Sequence, residues 1–106
     1  MKVLVGACVD WRFCRDIIDH DVKTAHQMGW SAVKNGELLA LAQREFDVFV
    51  TVDRNLSFQQ HLPTFTIAVM VLHAQSNRLA DLRPLIPELL VSILTAKRGA
   101  VTYVGV

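Results

Sequence analysis

The sequence predicts an α/β fold, a small doubly wound and mostly parallel sheet flanked by helices. Three observations carry this. Strand-type apolar runs alternate with segments of helical pattern along the 106 residues. The runs Val48-Phe49-Val50-Thr51 and Thr66 to Leu72 are almost wholly apolar, as strands buried on both faces are. The hydrophobic fraction is 52%, enough for one domain over residues 1–106 with a proper core and little disorder.

Residues 2–6 read as a short buried strand. Asp10 suits an N-cap for a helix over 11–19, with Cys14, Ile17 and Ile18 on one face. Asp21 to Ala25 reads as a strand, and residues 26–35, with Gly29, Ser31 and Asn35, as a loop. A helix over 36–45 would turn Leu38, Leu39, Leu41 and Ala42 inward. Asp47 precedes the strong strand 48–51, and Leu56 to Leu62 reads as a short helix or turn closed by Pro63. The run 66–72 is the most hydrophobic and should lie centrally. Ser76-Asn77 starts a helix over 78–95, irregular near Pro84 and Pro87 and firm from 84 onward. Lys97-Arg98-Gly99 stops it, and 100–104 form the last strand. Strands 1, 3 and 4 should be central, so that Gly6-Ala7 and Asp53 share one crevice.

The formal net charge is +1 with no basic block, which argues against tight nonspecific binding to long nucleic acid. No apolar run is long enough to span a bilayer, and Met1 to Val5 is too short for a signal peptide, so a cytoplasmic protein is expected. Cys8 and Cys14 lack a second pair for zinc and read as small buried side chains. The four histidines show no metal spacing. Phosphate-loop, Ser-His-Asp and reactive-Cys motifs are absent.

The informative stretch is Val48 to Asn55, where a buried strand ends in Thr51-x-Asp53-x-Asn55. It delivers a carboxylate and an amide oxygen where strands of an α/β sheet open to ligands. Asp53 either caps the turn or binds a cation, and Asn55 either starts a helix or supports that cation. Thr51 lies on the same side of the strand and could hold the carboxylate or a phosphate. Glu37, at a helix start, either meets the helix dipole or converges with Asp53 on one ion. Arg12, Arg15, Lys34, Arg54 and Arg78 are candidate phosphate contacts, Arg54 the best placed. A hydrophobic surface around Trp11, Phe13 or Trp30 could receive a partner protein or stack on a base.

Taken together, Lys2-Val3-Leu4-Val5, Asn35 to Ala42 and Phe49 to Leu56 give the chain a family likeness. It resembles the short PIN-like proteins of bacterial toxin–antitoxin pairs, relatives of VapC-type toxins. The resemblance covers nearly the whole chain and implies a Mg²⁺- or Mn²⁺-dependent endoribonuclease with a small acidic cluster. Glu37 would take the helix position, Asp53 the Thr-x-Asp position and Asn55 the fourth, with Glu37 and Asp53 holding the ion. Thr51 and Arg54 would contact RNA. The family has Asp followed by Glu after the first strand, and here Gly6 and Ala7 stand there. Loss of the central carboxylate implies weak metal binding and little or no cleavage. Two adjacent losses fit a natural inactive homologue or, better, a deliberately inactivated toxin. The implied partners are a small cognate antitoxin, RNA and a second copy in a homodimer, with no membrane. A second reading is a catalytically dead interaction module. A CheY-like phosphoacceptor would need an acidic pair after strand 1, which is absent.

Overall fold

The structure is a computed structural model that describes residues 1–105, the side chains of Ser57 and Phe58 excepted. Five strands form one sheet: β1 (Lys2–Val5), β2 (Asp21–Thr24), β3 (Val48–Thr51), β4 (Ala68–His73) and β5 (Val101–Gly105). The order is β2-β1-β3-β4-β5, and every neighbouring pair is parallel. The chain thus steps outward from β1 to β2, then returns to the other side of β1 for the remaining strands. That reversal, between β1 and β3, is where a doubly wound sheet opens a crevice at its carboxyl ends.

Side-chain alternation divides the core in two. Val3, Val5, Val48, Val50, Met70 and Leu72 pack on one face. Phe13 and Ile17 cover them from a 3-10 helix, Trp11–Asp16, and its edge. Leu82 of α3 (Leu79–Leu82), with Leu89 and Ile93 of α4 (Ile86–Leu94), completes the cover. Leu4, Phe49, Val69 and Val71 face the opposite way. They pack on Leu38, Leu39 and Ala42 of α1 (Asn35–Ala42) and Leu56 of α2 (Leu56–Gln59). Each such aliphatic side chain contributes about 1.5–3 kcal/mol when fully buried. Helices on both faces of a parallel sheet are the doubly wound arrangement the strand pattern predicts.

Several elements differ from the sequence reading in extent. The helix expected over 11–19 is only Trp11–Asp16 and is 3-10 in geometry. Only Phe13 and Ile17, one helical turn apart, are buried, while Ile18 is 59% exposed and Asp19 turns left-handed at φ 66°. The chain must reverse there to enter β2 after four residues, which leaves no room for another turn. In α1, Leu41 is only half-buried, and successive turns from Gln43 to Phe46 replace the expected last helical residues. The β4 strand begins at Ala68, because the Thr66 N–H donates to the Gln43 Oε1 at 3.0 Å instead of joining the ladder. Pro63 lies inside a second 3-10 turn, Leu62–Thr64. Pro84 and Pro87 sit in first turns, of a 3-10 segment Arg83–Leu85 and of α4, where a missing N–H costs nothing. Among the described residues no helix is long and apolar enough to cross a membrane.

Candidate functional site

β1 and β3 end side by side. The Gly6 N–H donates to the Val50 carbonyl at 2.8 Å, so Gly6 is held against the last residues of β3. Two residues beyond β3 stands Asp53. Between these tips lies a cavity of about 120 Å³, walled by Gly6, Trp30, Asn35, Phe49, Thr51 and Asp53 among others. The crevice expected between the two strand tips is therefore present.

Asp53 is fixed by three bonds. Its own N–H donates to the Thr51 Oγ1 at 3.1 Å. Its Oδ1 accepts the Asn55 N–H at 3.0 Å, which closes an Asx turn. Its Oδ2 accepts the Asn35 Nδ2 amide at 2.8 Å. Thr51 is buried and orients the backbone of Asp53, and no bond from its hydroxyl to the carboxylate is formed. The turn-capping role of Asp53 is thus real, and it leaves each carboxylate oxygen one further lone pair.

Asn35 opens α1, after Lys34 at the cap position. Helical residues advance about 100° each, so Glu37 lies about 200° around the axis from Asn35. Accordingly Glu37 is exposed, and it is not among the residues lining either cavity that Asp53 borders. Asn55 takes the cap position of α2, but its side chain makes no capping bond. Arg54 is exposed and donates through Nη2 to the Ala74 carbonyl at 3.3 Å, which spans from the β3 tip to the β4 tip.

Gly6 faces an aromatic ring. A Cβ built there would lie 3.3 Å from the Phe49 Cζ and 3.5 Å from the Val50 carbonyl oxygen. Phe49 is buried and packs with α1. An acid at position 6 would therefore require the ring to move by a few tenths of an ångström.

The present donor set does not fit Mg²⁺ or Mn²⁺, which take several oxygen ligands and favour carboxylates. Asp53 is the one acidic residue lining these two cavities, and an amide NH₂ is already aimed at it. Among the described residues no group of three or more His, Cys, Asp and Glu is placed to hold a metal.

The surroundings correct three readings. Cys8 is exposed rather than buried, because it follows β1 into the open crevice, while Cys14 is half-buried and its thiol is pushed up by burial. Phe13 is fully buried under the sheet and offers nothing to a partner. Trp30 is half-buried, edge-on to Phe46 at 6.2 Å, whereas Trp11 is 57% exposed. Asp10 is the N-cap expected: its Oδ1 accepts the Arg12 N–H and Nε–H, and its Oδ2 meets the guanidinium at 2.7 Å. Arg12 holds that carboxyl down to about 2 from 3.8, first through the side-chain bond.

Sequence reasoning missed Asn35, Phe49 and Cys8 as crevice residues. Asn35 carried a signal, an amide at the start of the helix that also bears Glu37. Phe49 carried none, since its contact with Gly6 arises across neighbouring strands. Comparison of the chain with family profiles, with curated proteins and with solved structures finds no match.

Proposed function

We propose that this chain is a PIN-like protein of the toxin–antitoxin class, built on an endoribonuclease scaffold and catalytically silent as written. The observation that carries the reading is the pairing of Gly6 with Asp53 across the crevice between β1 and β3. One strand tip brings a rigidly held carboxylate, and the tip opposite has hydrogen where a second carboxylate would complete an ion site. In this reading the substrate class is RNA, and Mg²⁺ or Mn²⁺ serves only a chain with the acids in place. A small antitoxin and a second copy are the partners, and the cytoplasm is the location.

The test compares this chain with its Gly6→Asp/Ala7→Glu variant on structured and unstructured RNA, with and without Mn²⁺. Cleavage that appears in the variant, needs the metal and is abolished by Asp53→Asn supports the reading. If the folded variant cuts no RNA at any metal concentration, the nuclease reading fails.

A second reading, a dead interaction module, draws on the Phe49 ring beside Gly6 and the Asn35 amide on Asp53. Both fill or satisfy the site without an ion. A chain that neither cuts nor gains cutting, but retains a protein partner, would favour it.

A further inference from the structure

Four cavities share walls along the carboxyl edge of the sheet. One of about 500 Å³ and the small strand-tip cavity of about 120 Å³ both include Asp53, Asn35 and Cys8. Ala7 and Cys8 lead from there into a third, of about 530 Å³. Trp11, Thr24 and His26 separate that one from a fourth, of about 480 Å³. The result is a trough that begins beside α2, passes Asp53 and Cys8, and ends at Trp11 and Arg15.

Trp11 stands at the far end as an exposed ring in a chain that buries Phe13, Phe46 and Phe49. The Arg15 guanidinium lies 4.7 Å from its ring centroid. Arg15 lines the fourth cavity and not the third, so it backs the ring from the side away from Asp53. A cation on one side of an indole leaves a π surface that suits a second flat partner. The nearest acid, Asp10, is neutralised by Arg12. Lys34 and Arg15 then stand against Asp53 along the trough, which leaves it with a small formal positive balance. The remaining polar wall is largely amide, Gln27, Gln59, Gln60 and Asn77 among it, with hydroxyls such as that of Thr24 between.

We propose that this trough binds a single-stranded RNA segment, with one base stacked on Trp11 and the backbone running past Cys8 toward Asp53. The proposal rests on the RNA reading above and adds where the strand lies. Stacking is indifferent to base identity, and amide groups that both donate and accept read sequence only weakly, so weak sequence preference is expected. With so small a net charge, affinity must come from the trough itself, and few phosphates are neutralised. The salt dependence should correspondingly be shallow.

Fluorescein-labelled octanucleotides of uridine and of adenosine, titrated into the intact chain at low salt, give the affinity by anisotropy. Trp11→Ala should weaken binding about tenfold, within the range one base–aromatic stack supports, and Trp11→Phe should recover part of it. In a Trp30→Phe background, where Trp11 is the only tryptophan, the oligonucleotide should quench its emission. That second readout needs no change at Trp11 and holds if Trp11→Ala misfolds. Unchanged emission, or equal affinity of folded Trp11→Ala and parent, overturns the proposal. So does the absence of any oligonucleotide binding. If sedimentation then shows a dimer that Trp11→Ala disrupts, the face is a protein-docking surface instead. Trp11-dependent binding without cleavage by Gly6→Asp/Ala7→Glu leaves the trough standing and ends the nuclease reading. Cleavage with no effect of Trp11→Ala does the reverse.

Discussion

Asn35 donates from Nδ2 to the Asp53 Oδ2 at 2.8 Å, and so ties the first turn of α1 to the tip of β3. The bond joins the two elements that wall the crevice on one side. It is part-buried and its acceptor is charged, which places it among the stronger side-chain bonds. Asn35→Ala should cost about 1–2 kcal/mol in urea unfolding, with an unchanged m-value. Hydrogen exchange should quicken at the start of α1 more than in β4. A loss confined to noise would mean that the bond does not tie these elements in solution.

Gly6 and Phe49 should be energetically coupled. Gly6→Ala alone forces the ring to give way and should destabilise the chain by about 1 kcal/mol. Phe49→Leu in the same chain opens space beside position 6, so the double variant should lose less than the two single losses added together. A double-mutant cycle by chemical denaturation measures the difference, and strict additivity would show that the ring does not press on position 6. The same logic advises pairing Gly6→Asp with Phe49→Leu if the acid variant folds poorly.

Asp10 should titrate low. Its carboxyl sits at about 2 against an ordinary 3.8, held there by the Arg12 side-chain bond, then by the Arg12 backbone N–H. A depressed folded pKa means a contribution that is complete above the unfolded value and fades as pH falls from about 4 through about 2. An NMR titration should find the Asp10 midpoint near 2, and Arg12→Ala should raise it partway toward the ordinary value, since the backbone bond survives. An unmoved midpoint in Arg12→Ala would remove the guanidinium as the cause.

The two thiols should differ in reactivity. Cys8 is exposed at the rim of the crevice, while Cys14 is half-buried and its thiol is pushed up by burial. A maleimide at neutral pH should modify Cys8 first and Cys14 much more slowly, as mass spectrometry of timed digests would record. Equal rates would place Cys14 in the open.

What the sequence made legible follows its physics. Val48-Phe49-Val50-Thr51 was readable to the residue, because Asp47 ends one element and Asp53 starts a turn on either side of an apolar run. The central placing of β1, β3 and β4 followed from apolarity on both alternations. The 3-10 helix at Trp11–Asp16 was not legible, because Ile18 looks like part of an apolar face until the return to β2 cuts the helix short. The sequence marks Asp53 as a strand-tip acid, but its partner Asn35 reads as loop. The amide–carboxylate bond depends on how α1 is rotated against the sheet, and a helix with Leu38, Leu39 and Leu41 in sequence leaves that rotation ambiguous. Cys8 shows the limit of composition: small thiols usually lie inside, and only the path of the chain after β1 places this one at the rim.

The wholly parallel ladder also bears on how the chain assembles. Among the described residues no strand has a hairpin partner, so nothing in the sheet can nucleate locally. Pairing Lys2 with Asp21 closes a loop of about twenty residues, whereas pairing Val3 with Val48 closes one of about forty-five. The β1–β2 pair is therefore a cheap first contact, matched by Val48 with Ala68 of β3 and β4, yet unlike that central pair it forms an edge of the finished sheet. A nascent chain must hold the β1–β2 pair, with one side of β1 unfilled, until β3 emerges. Folding should be slow for a protein of this size, and the interval before β3 docks is when it is most exposed to aggregation.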